Sequence, residues 1–315
     1  MNAETAIAES DLLNELDGLV DRNVGVAGFN DLLKRFIRDK MAERARWAEM
    51  TVAVHRMLGG ASPEIYRQAA AVEAVILALD IADDLQDRDN VEKSWMQCKP
   101  EYALNAVLAL MAGTFGEIAA WQSESTGKTA PDASEIGRII LRSVNGQYKD
   151  LAQSVETEED YIAMVREKSG SLIRLAFYTG YASVPVDPTV AESLNAIADH
   201  VGIIAQLEND LKDLLRFDLK NDLLNKKRTL PILFLLSDPD ENFPLIRQYY
   251  EGSVSRGQFL QQKQACVDYI QNSGCVEYTR VIQTLFADKA NELLESIPAR
   301  SPWKETFRRL ALLDG

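Results

Sequence analysis

Apolar residues recur at intervals of three and four along almost the whole chain, while period-two runs of β-branched residues between turn signals are scarce. Such spacing lays one apolar stripe along a helix, whereas a half-buried strand alternates. An all-α protein is expected. Turn chemistry divides it at Gly59-Gly60-Ala61-Ser62-Pro63, Ser123 to Pro131, Val184 to Pro188, Ser237 to Pro244, Gly252 to Arg256 and Ile297 to Pro302. Two helix starts carry a short polar residue three positions before an acidic one, Asp132 before Glu135 and Thr157 before Asp160, placed to accept from an orphan amide. At ordinary helix lengths, about ten to twelve helices fill the chain. Neither a repeat of solenoid period nor a low-complexity linker interrupts it, so residues 1–315 are expected to form a single helical domain.

Composition narrows the chemistry. With 46% apolar and 26% charged residues there is ample material for a core. A net charge of −14 repels phosphate backbones and anionic lipid, which argues against a nucleic acid partner. An acidic protein that handles a diphosphate must import divalent cations to reverse the sign of its site. Cys98, Cys266 and Cys275 are odd in number and form no CxxC pair, so reduced thiols are expected rather than a disulfide framework or a zinc site. Met1-Asn2-Ala3-Glu4 lacks the basic and apolar regions of a signal peptide. The longest apolar run is read as Ala69 to Leu79, which is interrupted by Glu73 and too short to span a bilayer. The expectation is a cytoplasmic protein with no transmembrane segment.

Two acidic clusters stand out. On a helix Asp80, Asp83, Asp84 and Asp87 fall within an arc of about 100°. Two carboxylates about 4 Å apart repel by about 4 kcal/mol at an effective dielectric near 20, so such a face takes up protons or binds a cation. A solvated acidic surface would show the same spacing, but the preceding helix is apolar from Ala69 through Leu79 to Leu85. Gln206, Asn209, Asp210 and Asp213 repeat the relative spacings after the apolar Val201-Gly202-Ile203-Ile204-Ala205. Hard oxygen donors in this number suit Mg²⁺, which keeps waters and bridges to substrate phosphates. No Gly-rich P-loop accompanies them, which disfavours nucleotide phosphoryl transfer.

Over roughly residues 55 to 235 these motifs resemble the trans-polyprenyl diphosphate synthase family. The supporting elements occur in that family's order: Gly146-Gln147-Tyr148-Lys149-Asp150-Leu151, Lys168-Ser169-Gly170-Ser171-Leu172, Gln206, and Asp222 through Lys226-Lys227-Arg228 to Pro231. The resemblance implies an isoprenoid-synthase-type helical bundle whose two aspartate-rich motifs face one another across a central cavity and ionise an allylic isoprenoid diphosphate. It further implies three Mg²⁺ ions, two held by Asp83 and Asp87 with Asp84 in support, and a third held by Asn209 or Asp210 with Asp213. Lys168 and Lys227 would contact the diphosphate, Gln147, Asp150 and Gln206 would line its cavity, and Asp222 would orient a water near the metal. Homodimers through helices are common in the family.

The pattern departs from the family where an acceptor diphosphate binds. Chain-elongating members carry a GGKxxRP-type segment, but here Gly59-Gly60-Ala61-Ser62-Pro63-Glu64 lacks both cations. The usual Arg-Arg-Gly after the first motif is replaced by Arg88-Asp89-Asn90-Val91-Glu92-Lys93. Without charge-assisted contacts, an acceptor free of diphosphate is expected. One branch of the family fits, that which prenylates a tryptophan of a competence pheromone precursor, a small quorum-sensing peptide. Asp80 through Asn90, Trp95-Met96, Leu104-Asn105-Ala106, Lys168 through Ile173 and Gly202 through Gln206 resemble it. Ala78 and Leu79, where family members place chain-limiting aromatics, leave donors of ten, fifteen or twenty carbons open, and farnesyl is the first expectation.

Three rivals share parts of this pattern. A short-chain polyprenyl diphosphate synthase would have to bind isopentenyl diphosphate without the usual cations. A class I terpene cyclase would share the opening Asn209-Asp210, but Asp213 and Phe217 stand where its motif needs Ser or Thr and Glu. A non-catalytic synthase subunit commonly loses an acidic motif, and both survive here. His55 and His200 are read as structural.

Overall fold

The computed structural model describes residues 9–43, 45–124, 130–216, 221–237 and 243–311. Among these are fourteen α-helices and no strand: α1 Glu9–Asn23, α2 Ala27–Met41, α3 Arg46–Met57, α4 Ile65–Asp87, α5 Pro100–Glu124, α6 Ala133–Leu151, α7 Glu158–Tyr181, α8 Pro188–Leu215, α9 Leu230–Leu236, α10 Leu245–Tyr250, α11 Arg256–Gln261, α12 Lys263–Asn272, α13 Cys275–Ser296 and α14 Trp303–Leu310. The all-α expectation therefore holds, with a few more helices than helix-length arithmetic suggests. The excess lies in short pieces such as α10 and α11, six residues each. Met1 to Glu4, Phe217 and the middles of the turns at Ser123 to Pro131 and Ser237 to Pro244 lie outside the described residues.

Both expected caps form. The Asp132 carboxylate accepts the Ser134 amide at 2.7 Å, while the Thr157 hydroxyl and the Asp160 carboxylate exchange bonds with one another's amides at 3.1 and 3.0 Å. A third cap, the capping box of Ser255 with Gln258 at the start of α11, is not among the starts expected from the sequence although its pattern is present there.

The chain divides into two compact units. One comprises Met1–Leu141, Leu172–Ala198 and Leu293–Gly315, the other Arg142–Ser171 and Asp199–Glu292. In the first, α4 is buried on every side from Ala69 to Ala78, which is what an apolar helix without a polar stripe requires. Its small Ala69, Ala70, Ala71 and Ala74 let α1, α3 and α5 pack against it. From α1, Leu12, Leu16, Leu19 and Val20 fill this core, each burial contributing about 1.5–3 kcal/mol. Glu73, the one charge in the run, is 2% exposed and accepts the Ala48 amide at 2.9 Å. It caps α3 from a neighbouring helix, since the residue before α3 is Ala45, which has no cap to offer.

The stretch Pro100–Ser123 in α5 is long and apolar enough to cross a membrane by length and composition, with 33% of it buried. This stretch, and not Ala69 to Leu79, is the longest apolar one among the described residues that meets that length and composition. Its inward residues Ala103, Ala106 and Leu110 join the core, while Leu104 and Leu108 are exposed.

The second unit buries Tyr161, Val165, Ile203, Leu207 and Leu230 in one cluster, and Leu214, Leu223, Ile246, Phe259 and Ile270 in another. Cys98, Cys266 and Cys275 are free thiols, and burial pushes Cys266 up to about 11.

Candidate active site

The first acidic motif ends α4. Arg88 adopts the left-handed conformation at φ 56° and closes the helix with its amide on the Asp84 carbonyl at 2.8 Å; Asn90 is also left-handed, at φ 47°. The chain thereby folds back on the last turn. Trp95 Nε1–H donates to Asp84 Oδ2 at 2.7 Å, and the Asn90 side-chain amide donates to Oδ1. Asp84 is 5% exposed, and burial raises its carboxyl to about 7 against the lowering effect of these two donors. One turn earlier Asp80 lies 2.6 Å from the Lys40 ammonium of α2. The four carboxylates that share one arc thus have different fates: Asp80 is paired with a cation, Asp84 is turned inward, and Asp83 and Asp87 remain half-buried.

Glycines build the second cluster. A Cβ on Gly146 of α6 would come within 2.3 Å of the Lys168 backbone nitrogen on α7, and one on Gly202 of α8 within 2.5 Å of Gly170 Cα on α7. Only hydrogen side chains let three backbones approach so closely. The crossing sets Lys168 Nζ 2.7 Å from Asp150 Oδ2. It also lets Ser169 Oγ donate to Gln206 Oε1 at 2.9 Å, and Gln206 Nε2 donate to Asp210 Oδ1 at 2.8 Å. From α7 the Tyr161 hydroxyl donates to the other Asp210 oxygen. Asp210 is 2% exposed, and burial raises its carboxyl to about 6 against these donors.

Beyond α8, Asn221 is fully buried and donates to the carbonyls of Asp213 and Leu214 at 3.2 Å, satisfying the helix end, while it accepts the Leu224 amide at 2.8 Å. That anchor sets the next residue, Asp222, inside the unit. Burial raises the Asp222 carboxyl to about 8; Asp210 adds to the rise, and Lys227 opposes it. Asn209 is exposed and Asp213 half-buried, as is Gln147 beside Gly146.

Within the second unit, then, Asp150, Lys168, Gln206 and Asp210 are joined in two hydrogen-bonded pairs, and Asp222 and Lys227 act on Asp210 through charge. Among the described residues no three carboxylate, imidazole or thiol groups converge as a ready-made metal cage. The donors suit instead a cation held through one or two carboxylates, with phosphate and water completing its shell, as Mg²⁺ is held. Lys40, Tyr161 and Asn221 were missed in the sequence, and Asn90 and Trp95, quoted there for their resemblance, were given no contact with Asp84. Tyr161 and Asp210 are separated by 49 positions, and no spacing rule links them.

At the loop where chain-elongating relatives bind an acceptor diphosphate, Gly59 has φ 88° and packs under the Arg300 guanidinium; Gly60 lies against the His55 ring. His55 is buried with Nδ1 donating to the Gly180 carbonyl at 3.0 Å, which makes it part of the fold.

A helical protein with two such motifs and a lysine beside the second defines an isoprenoid-synthase class. The chain belongs to the Polyprenyl synthetase family, which it matches over residues 42–270, and it is an enzyme that transfers prenyl groups. It is 31% identical over 235 residues to the tryptophan prenyltransferase ComQ of Bacillus spizizenii, covering 73% of this chain and 80% of that one. The geranylgeranyl pyrophosphate synthetase of Geoglobus acetivorans superposes with a TM-score of 0.79 at 20% identity over 98% of both chains. A polyprenyl synthase of Caulobacter crescentus, solved with calcium and isoprenyl diphosphate, gives 0.72 at 20% identity over 95% of this chain and 96% of its own.

Proposed function

We propose that the chain is a Mg²⁺-dependent prenyltransferase that moves a farnesyl or geranyl group from an allylic diphosphate to a tryptophan of a small precursor peptide in the cytoplasm. The observation that carries this reading is an asymmetry. The donor machinery of the family is kept, in Asp83, Asp87, Asn209, Asp213, Lys168 and Lys227, while Ala61 and Glu64 occupy the positions of the acceptor's lysine and arginine. The relationship to ComQ supports a tryptophan acceptor.

Asp83 and Asp87 of the first motif, with Asn209 and Asp213 of the second, would hold the metal ions. The bound ions supply charge stabilisation to the leaving diphosphate. Lys168, fixed by Asp150, adds a preorganised cation for the same charge, and Lys227 adds a second. As the C–O bond breaks, its electron pair leaves with the diphosphate, and indole C3 forms the new C–C bond. The neighbouring backbone nitrogen then adds to C2 and loses its proton.

We also infer that a second copy covers the outer stripe of α6, where Leu141, Val144, Tyr148 and Leu151 are 44 to 72% exposed. Co-expression with a tryptophan-bearing precursor peptide, followed by mass spectrometry, tests the function. An isoprenoid mass added on tryptophan is expected. A longer diphosphate made from isopentenyl diphosphate by the purified chain would replace this reading with a chain-elongating synthase.

A further inference from the structure

We propose that Trp95 and Asn90 are positioning residues of the first acidic motif, which hold Asp84 as an anchor so that Asp83 and Asp87 are the carboxylates presented to divalent cations. The inference rests on the function proposed above and assigns work to two residues outside the aspartate-rich motifs.

The need for an anchor follows from where the motif lies. Asp83, Asp84 and Asp87 occupy the C-terminal end of α4, where the helix dipole disfavours anions, and no basic residue stands in the last turn. Like charges one turn apart add to the strain. A helix end of this kind frays unless something outside it holds it. The fold supplies two neutral donors, one for each oxygen of Asp84: the Trp95 indole at 2.7 Å and the Asn90 amide. Asn90 reaches back through a left-handed turn that its residue type tolerates.

Trp95 is itself fixed. It is 2% exposed, meets the Phe36 ring edge-on at a centroid distance of 6.0 Å, and follows Ser94, whose amide donates to Asp39 of α2 at 2.7 Å. With Asp84 held inward, helix geometry sets Asp83 and Asp87 together on one side of it, about 100° and 60° away and about 40° from one another. Both lone-pair faces of Asp84 are committed to protein donors, whereas Asp83 and Asp87 remain partly open to solvent.

The second motif reaches the same arrangement with unrelated residues. There too the second position, Asp210, is buried and receives one aromatic donor, Tyr161, and one amide, Gln206. Its neighbours Asn209 and Asp213 stay accessible. Two motifs on different helices thus commit the same position to an aromatic N–H or O–H and a side-chain amide. This repetition separates the anchor reading from incidental packing.

The test is calorimetric titration of Mg²⁺ into the full chain with inorganic diphosphate, alongside thermal melting, for the wild type, Trp95→Phe, Asn90→Gly, Asp84→Asn and the double variant Trp95→Phe/Asp84→Asn. Phenylalanine keeps an aromatic ring against Phe36 and removes the N–H, thermal melting reads the loss of packing from its smaller ring, and glycine keeps the positive φ. Loss of a partner that orients metal-binding groups costs about 10- to 100-fold in metal affinity, and a weakening in that range is expected for Trp95→Phe and Asn90→Gly. The double variant should bind Mg²⁺ no more weakly than Asp84→Asn, because Trp95 acts through Asp84. Unchanged Mg²⁺ affinity in Trp95→Phe and Asn90→Gly, or independent multiplying effects in the double variant, would overturn the proposal. Failure of the wild type to take up Mg²⁺ with diphosphate would instead defeat the proposed function, and this inference with it.

Discussion

Gly202 of α8 lies so close to Gly170 of α7 that a Cβ on the first would stand 2.5 Å from the Cα of the second. The neighbours of these glycines along their helices, Lys168, Ser169 and Gln206, make the hydrogen bonds Lys168–Asp150, Ser169–Gln206 and Gln206–Asp210 of the second cluster. Glycine at the crossing and chemistry one turn away are two consequences of one packing decision.

Gly202→Ala is therefore expected to destabilise by about 1–3 kcal/mol or more, because the clash is with backbone and no side chain can swing aside. Thermal melting checks it, and diphosphate release should fall with it as Lys168 and Gln206 are displaced. Gly116→Ala in α5 is the control. Nothing lies within 4 Å of the place its new methyl group would occupy, and it should gain about 0.5–1 kcal/mol.

Lys168→Met removes the cation that Asp150 holds at 2.7 Å. The loss of a preorganised charge opposite the leaving group should lower kcat for diphosphate release by about 100-fold or more. Single-turnover kinetics with an allylic diphosphate measure this directly, and a change confined to KM would place Lys168 in ground-state binding alone.

Burial raises the Glu73 carboxyl from 4.5 to about 7, with the Ala48 amide and Lys40 opposing and Asp80 adding to the rise. The folded protein thus binds this proton more tightly than the unfolded chain. The resulting stability is present below about pH 4.5 and is lost as pH climbs through 7. Glu73→Gln keeps an acceptor for Ala48 and cannot titrate. Its stability relative to the wild type should rise by about 2 kcal/mol between about pH 5.5 and 8.5. Denaturant melts at the two pH values test this, and a constant difference contradicts it.

Much of this protein is legible in its residues. Three-and-four spacing yields the helices, Asp132 and Thr157 mark two of their starts, and Gly146, Gly170 and Gly202 sit in the motifs where three helices meet. The carboxylate arc from Asp80 to Asp87 is likewise readable, because helix geometry alone puts those residues on one side. What each carboxylate does there is not readable. Asp80 meets Lys40 from another helix, and Asp84 meets Trp95 across a left-handed turn. Asp210 meets Tyr161 from 49 positions away. Such partners come from tertiary packing, and local periodicity carries no trace of them. The apolar stretch of α5 is a different case, since its length and composition are local properties written in the sequence itself.

The most direct test of the account is release of diphosphate from farnesyl diphosphate by the purified chain, with a tryptophan-bearing peptide present, as Mg²⁺ is added and then withdrawn with a chelator. Wild-type protein should release diphosphate only with the metal and place the prenyl group on the peptide, while Asp83→Ala and Asp213→Ala should each lose about 100-fold or more. Release at the wild-type rate by either variant, or undiminished release after chelation, would contradict it.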